Sequence, residues 1–115
     1  LNTIVDAGVN ILFTSFWYNH KISATESRSS HWEESTLYGP LCMNIDVLRE
    51  RVALPLLNKG DVLIIHNVGA YNVTQSMQFI SYRPAVVLLD KNCNAKIIRE
   101  ADDFEYVTCK EHYEE

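Results

Sequence analysis

Short apolar runs, each closed within a few residues by Gly, Pro, Asn or Asp, limit what this chain can fold into more than any other feature. Thr3-Ile4-Val5-Asp6-Ala7-Gly8, Val62-Leu63-Ile64-Ile65, Ala85-Val86-Val87-Leu88-Leu89-Asp90 and Ala95-Lys96-Ile97-Ile98-Arg99-Glu100 are rich in β-branched residues and too short for amphipathic helices, so each reads as a strand, the first two as buried strands. The Lys91-Asn92 to Asn94 turn joins the last two as a hairpin. Thr36-Leu37-Tyr38 runs into Gly39-Pro40, where glycine admits unusual backbone angles and proline fixes the next residue, so a strand stops there. No long amphipathic helix and no internal repeat accompany these runs. The expected fold is mainly β, a barrel or sandwich with short helices rather than a parallel α/β sheet.

Between the runs, residues 9–18 are mostly apolar and aromatic. Residues 23–35 turn to Ser, Thr, Glu, Arg and His with no hydrophobic period, and read as an exposed loop or hairpin tip. Asp46-Val47-Leu48-Arg49-Glu50-Arg51 is expected to form a turn or two of helix, and Pro55 with Asn58-Lys59-Gly60-Asp61 marks the following turn. Residues 67–84 are expected to hold a loop and a short helix. Residues 100–107 read as a closing helix and residues 110–115 as a solvated tail.

At 115 residues the chain fits one domain, and 47% apolar content is enough to bury a core, which excludes a disordered tail. The formal charge of −5, with ten basic residues spread out, argues against nucleic acid or an anionic membrane as partner, since counterion release needs clustered Lys and Arg. No apolar run approaches the roughly 20 residues of a membrane span, and no signal-peptide pattern opens the chain. Cys42, Cys93 and Cys109 form an odd set without a CxxC pair, so no disulfide framework or zinc knuckle is indicated and a cytoplasmic setting is expected. Leu1, not Met, begins the chain inside an expected strand, so a piece of a longer polypeptide is expected.

Few residues suggest chemistry on their own. Cys42 follows the Gly-Pro turn, where an exposed thiol serves as nucleophile or proton donor. The alternative, favoured from composition alone, is a buried cysteine packing as a small hydrophobe. Tyr71 follows Gly69-Ala70, a small-residue loop that a ligand can approach closely, and its phenol suits an anion such as phosphate. An aromatic covering a barrel rim fits equally well. His20, His31, His66 and His112 show no metal-ligand spacing, so no metal is expected. Asn72-Val73-Thr74 matches a glycosylation sequon, taken as accidental without a secretory signal. Asp6, Asp46 and Asp61 sit at element boundaries, where a carboxylate caps a helix or turn.

Taken together, Tyr38-Gly39-Pro40-Leu41-Cys42-Met43-Asn44-Ile45-Asp46, Leu54-Pro55, Lys59-Gly60-Asp61, Gly69-Ala70-Tyr71, Phe79 and Arg83-Pro84-Ala85 are in an order and spacing that resembles the C-terminal domain of the pyridoxal-phosphate-dependent diaminopimelate/ornithine/arginine decarboxylases. Val5-Asp6-Ala7-Gly8-Val9-Asn10, with Tyr18 and His20 downstream, is similar to that family's Asp-Ala-Gly strand, and the resemblance spans about residues 3–107. It implies one Greek-key-like β-barrel domain over residues 1–115, the C-terminal domain of an alanine-racemase-like decarboxylase. The N-terminal TIM-like barrel that holds pyridoxal 5'-phosphate is absent from this chain.

The resemblance also implies roles. Cys42 matches the cysteine that reaches across the dimer interface to help protonate the carbanion, Tyr71 the tyrosine that contacts the cofactor, and Tyr18 a substrate-contacting tyrosine. A homodimer acting on a small amino acid follows. Met43 stands where an acidic residue usually meets the distal amino group of the substrate, and it cannot offset an ammonium. Thr14-Ser15 stands where an Arg-Pro pair would supply a bidentate grip on a distal carboxylate. Both departures point away from diaminopimelate, toward a less common amino acid. A non-catalytic relative used for regulation or binding, and a free-standing ligand-binding β module, are the competing expectations. The isolated chain is expected to be inactive under all three.

Overall fold

Pairing over long sequence distances, rather than local propensity, decides several elements of the computed structural model, which describes residues 1–26, 29–112 and 114. In chain order these are β1 (Asn2–Ile4), a 3-10 helix (Phe13–Phe16), β2 (Ile22–Ala24), β3 (Trp32–Tyr38), β4 (Val47–Pro55), β5 (Leu63–Ile65), β6 (Val86–Leu89), β7 (Ala95–Arg99) and α1 (Phe104–Thr108). The chain is mainly β with few helices, as expected. Its hydrogen-bonded pairs fall into three sheets among the described residues, β1-β3-β4, β2-β5 and β6-β7, with no closed barrel among them. Two compact units result, residues 1–76 and 77–115.

In the first unit β1 lies parallel to β3, and β3 is antiparallel to β4, from Trp32 opposite Pro55 to Tyr38 opposite Val47. Val9, Leu12, Ile22, Leu37, Leu41, Leu48 and Leu54 are the buried apolar residues around which the unit packs. The helix expected over residues 46–51 is not formed; β4 runs through it. Alternating charges in Arg49-Glu50-Arg51 mimic a helix surface, but pairing with β3 places them in an extended strand. The polar stretch 23–35 likewise contains the end of β2 and the start of β3, and its residues 27 and 28 lie outside the described set. The opening strand is shorter than expected and lies at a sheet edge, with Ile4 exposed rather than buried, and Ile64 of β5 and Val62 just before it are likewise exposed. Residues 67–84 form turns without the short helix.

Asp46 organises the connection from β3 to β4. Its carboxylate is buried and accepts hydrogen bonds from the backbone N–H groups of Val9 (2.8 Å) and Leu41 (2.7 Å). The Gly39 N–H donates to the Asp46 carbonyl oxygen at 2.9 Å. A Cβ on Gly39 would overlap the Asp46 carboxylate, and one on Gly8 would overlap both Leu41 and that carboxylate. Both glycines are therefore explained by close approach of a side chain to bare backbone. The turn role expected for Asp46 holds, and Asp61 likewise accepts from the Asn58 N–H at 2.7 Å.

The second unit carries the expected hairpin, β6 against β7, and a helix that begins later than residue 100 because Asp103 caps it by accepting from the Tyr106 N–H at 2.8 Å. Asp102 accepts from Gln78 Nε2, Arg83 Nε and Arg99 Nη2. Burial alone would raise its carboxyl pKa, but hydrogen bonds from Arg83 and Gln78 and the charges of Arg83 and Arg99 outweigh that and hold it below the ordinary 3.8. A depressed folded-state value contributes stability above the unfolded value, lost as pH falls through the folded one. Amide-exchange protection of β6 and β7 is therefore expected to hold at neutral pH and fall away below about pH 4, and Asp102→Asn should flatten that dependence. Equal acid sensitivity in wild type and variant would contradict the assignment.

Candidate functional site

The 3-10 helix carries an aromatic group. Phe13 meets Phe16 and Trp17 edge to face, with ring centroids 5.2 and 5.3 Å apart. Trp17 leads to Tyr18, and Tyr18 lies tilted against His20 at 6.0 Å. Thr14 is the buried residue of this helix. Its backbone N–H and its hydroxyl both donate to Asn72 Oδ1, at 3.1 and 3.0 Å, and Asn72 Nδ2 donates to the Val68 carbonyl at 2.8 Å. Thr14 Oγ1 also lies 2.7 Å from His20 Nε2. The single hydroxyl proton goes to Asn72, so the His20 Nε2–H donates to Thr14. A second histidine, His66, sits with Nε2 at 2.8 Å from Ser23 Oγ.

Tyr71 occupies the turn tied down by Asn72. Its φ is +68°, a region that a bulky aromatic seldom adopts, and the residue is 62% exposed. Its carbonyl oxygen accepts from the Gln75 N–H and from Thr74 Oγ1, both at 2.9 Å. Tyr18, Tyr71, Thr14, His20, Lys21 and His66 line one cavity of about 460 Å³, to which none of the described residues brings a carboxylate. Phenol, imidazole and ammonium donors without an opposing anion suit a phosphate or a carboxylate ligand. A second cavity, of about 650 Å³, opens between the β1 segment and residues 57–65 and contains none of the expected site residues.

The structure thus brings Tyr18 and Tyr71 together and leaves Cys42 and Met43 elsewhere. Cys42 is exposed, so the burial expected from composition alone is overturned: Leu41 takes the buried position, and a φ of +55° at Cys42 turns the backbone away from it. Met43 is half-buried and packs against the apolar core. Sequence reading missed Asn72, Thr14 as a buried hydrogen-bonding centre, and the Ser23–His66 contact. Asn72 drew notice only within an accidental sequon, and no local pattern links it to Thr14, 58 positions away. No group of three or more metal-ligating side chains occurs among the described residues. No helix among them is long and apolar enough to cross a membrane.

Comparison with known proteins adds an independent line. Residues 2–69 match the family described as pyridoxal-dependent decarboxylase, C-terminal sheet domain. A diaminopimelate decarboxylase of Methanothermobacter thermautotrophicus is 35% identical over 104 residues, covering 87% of this chain and 24% of the relative. The diaminopimelate decarboxylase of Escherichia coli K12 is 35% identical over 118 residues, covering 89% and 28%. The crystal structure of diaminopimelate decarboxylase from M. jannaschii, in complex with L-lysine, superimposes with a TM-score of 0.85 at 27% identity, over 96% of this chain and 26% of that one. The chain spans about a quarter of the length of the relatives it matches.

Proposed function

The chain belongs to the pyridoxal-dependent decarboxylases, as their C-terminal sheet domain, and from that premise we propose that it completes the active site of a longer decarboxylase acting on an amino acid. Residues 1–115 serve as one C-terminal domain, completed to a Greek-key-like barrel and joined to a cofactor-holding barrel, in a homodimer of the cytoplasm. One observation carries the division of labour. Tyr18 and Tyr71 share a cavity while Cys42 stands exposed outside it, the arrangement expected when one subunit lends its cysteine to the other subunit's site.

The cavity fits the cofactor: its lining donates hydrogen bonds and carries positive charge, as a phosphate requires. Bound pyridoxal 5'-phosphate supplies an electron sink for the pair left behind when carbon dioxide departs. Tyr71 contacts the cofactor through its phenol, and Tyr18 faces the substrate. Cys42 Sγ holds a proton for delivery to the substrate carbon that has lost its carboxylate. Met43 withholds a countercharge from a distal ammonium, and Thr14 withholds the bidentate grip of an arginine from a distal carboxylate.

Diaminopimelate is therefore a poor substrate. In the full-length protein, carbon dioxide release from a panel of amino acids is expected to favour one with an uncharged distal end, with kcat/KM for diaminopimelate lower by about tenfold or more. Efficient turnover of diaminopimelate would contradict the substrate assignment, and no cofactor absorbance band together with no turnover would contradict the enzyme reading. A purely regulatory role is not favoured, because the family match and the relatives covering most of the chain are decarboxylases.

A further inference from the structure

We propose that Thr14 and Asn72 are positioning residues: they form a buried clasp that holds the Tyr71 turn against the 3-10 helix in its strained, ligand-ready conformation. The proposal rests on Tyr71 contacting the cofactor, as argued above. Thr14 is 1% and Asn72 3% exposed, so the hydrogen bonds between them are shielded from water. Asn72 Oδ1 receives two donors from Thr14, and Asn72 Nδ2 closes onto Val68, so the side-chain amide bridges the 3-10 helix and the segment leading into the turn. The residue before it, Tyr71, holds a φ of +68°. Such a conformation persists only where surrounding contacts over-determine it. The exposed Tyr71 side chain does not do so; the amide of its neighbour does, together with the two hydrogen bonds on the Tyr71 carbonyl oxygen.

The same hydroxyl orders His20. With its proton given to Asn72, Thr14 Oγ1 accepts from His20 Nε2, so both capacities of the hydroxyl are engaged within the protein. Thr14 therefore lines the cavity without offering a ligand a free proton. It acts on a ligand through the residues it holds, Tyr71 by way of Asn72 on one side and His20 on the other.

Four variants of the full-length enzyme test this by absorbance titration with pyridoxal 5'-phosphate: Thr14→Val, Thr14→Ser, Asn72→Ala and Tyr71→Ala. Thr14→Val keeps the shape and removes the hydroxyl, while Thr14→Ser keeps the hydroxyl. Thr14→Val and Asn72→Ala are each expected to weaken cofactor binding about tenfold, and Thr14→Ser to stay within about twofold of wild type. Because Thr14 acts through Tyr71, the Thr14→Val loss should largely vanish in a Tyr71→Ala background. A merely structural role would leave the losses additive, and a contribution of side-chain shape alone would not separate valine from serine; either result overturns the clasp. Normal binding by Thr14→Val and Asn72→Ala beside weakened binding by Tyr71→Ala also overturns it, while sparing the Tyr71 assignment. Normal binding by Tyr71→Ala overturns that assignment and the clasp with it. Should Thr14→Val fail to fold, Asn72→Ala alone and in the Tyr71→Ala background carries the same comparison.

Discussion

Cys42→Ala in the full-length enzyme is expected to lower kcat for decarboxylation by about a hundredfold or more while leaving the cofactor absorbance band in place. The size follows from the role. A positioned proton donor contributes on the order of 10²–10⁴ to a rate, and alanine offers no proton at that place. The specificity of the effect follows from the structure: Cys42 is exposed on the connection between β3 and β4 and lies outside the tyrosine-lined cavity, so its loss perturbs neither the core nor the cofactor contacts of its own subunit. Cys42→Ser, which keeps a weaker proton donor, should fall between the two. Rapid-quench measurement of carbon dioxide release with a cofactor titration on the same samples checks both halves. Undiminished turnover in a folded alanine variant would remove Cys42 from the chemistry.

Asp46→Ala is expected to be among the most destabilising single changes in the first unit, at about 2–4 kcal/mol. Its carboxylate satisfies the buried N–H groups of Val9 and Leu41, and removing it leaves two donors without partners and a gap among Gly8, Gly39 and Leu41. Gly39→Ala attacks the same contact from the other side, because its new Cβ would need the space that the carboxylate fills. Urea denaturation should show both variants with a lower midpoint. The double variant should lose less than the sum of the two, since alanine at position 46 vacates the space that alanine at position 39 requires. A stability near wild type for Asp46→Ala would show that the carboxylate does not organise this connection. The consequence reaches function, because Cys42 rides on the segment that Asp46 holds.

For three of the strand signals bounded by turn residues, the sequence was a sufficient guide, while the opening run gave only the short, exposed β1. β5, the β6–β7 hairpin and the end of β3 before Gly39-Pro40 all lie where the runs and turns put them. It failed where pairing overrode local character. β4 carries Arg49, Glu50 and Arg51 in its middle and β3 opens with Trp32-Glu33-Glu34, and only their mutual register makes both extended. The candidate site shows the same division. Cys42 and Tyr71 drew notice from their turns, and both hold positive φ. That Tyr18 and Tyr71 share a cavity, and that Thr14 and Asn72 join the segments bearing them, depends on contacts between distant parts of the chain for which no local pattern exists.

The most direct measurement mixes two impaired enzymes. Full-length Cys42→Ala and full-length Tyr71→Ala are each assayed alone for decarboxylation, then unfolded together, refolded with pyridoxal 5'-phosphate and assayed again. If one subunit lends its cysteine to a site holding the other's tyrosine, random pairing makes about half the dimers mixed, each with one intact site, and about a quarter of wild-type activity returns. No recovery above the two separate baselines, in a sample shown by mass spectrometry to contain mixed dimers, would contradict a site shared between subunits.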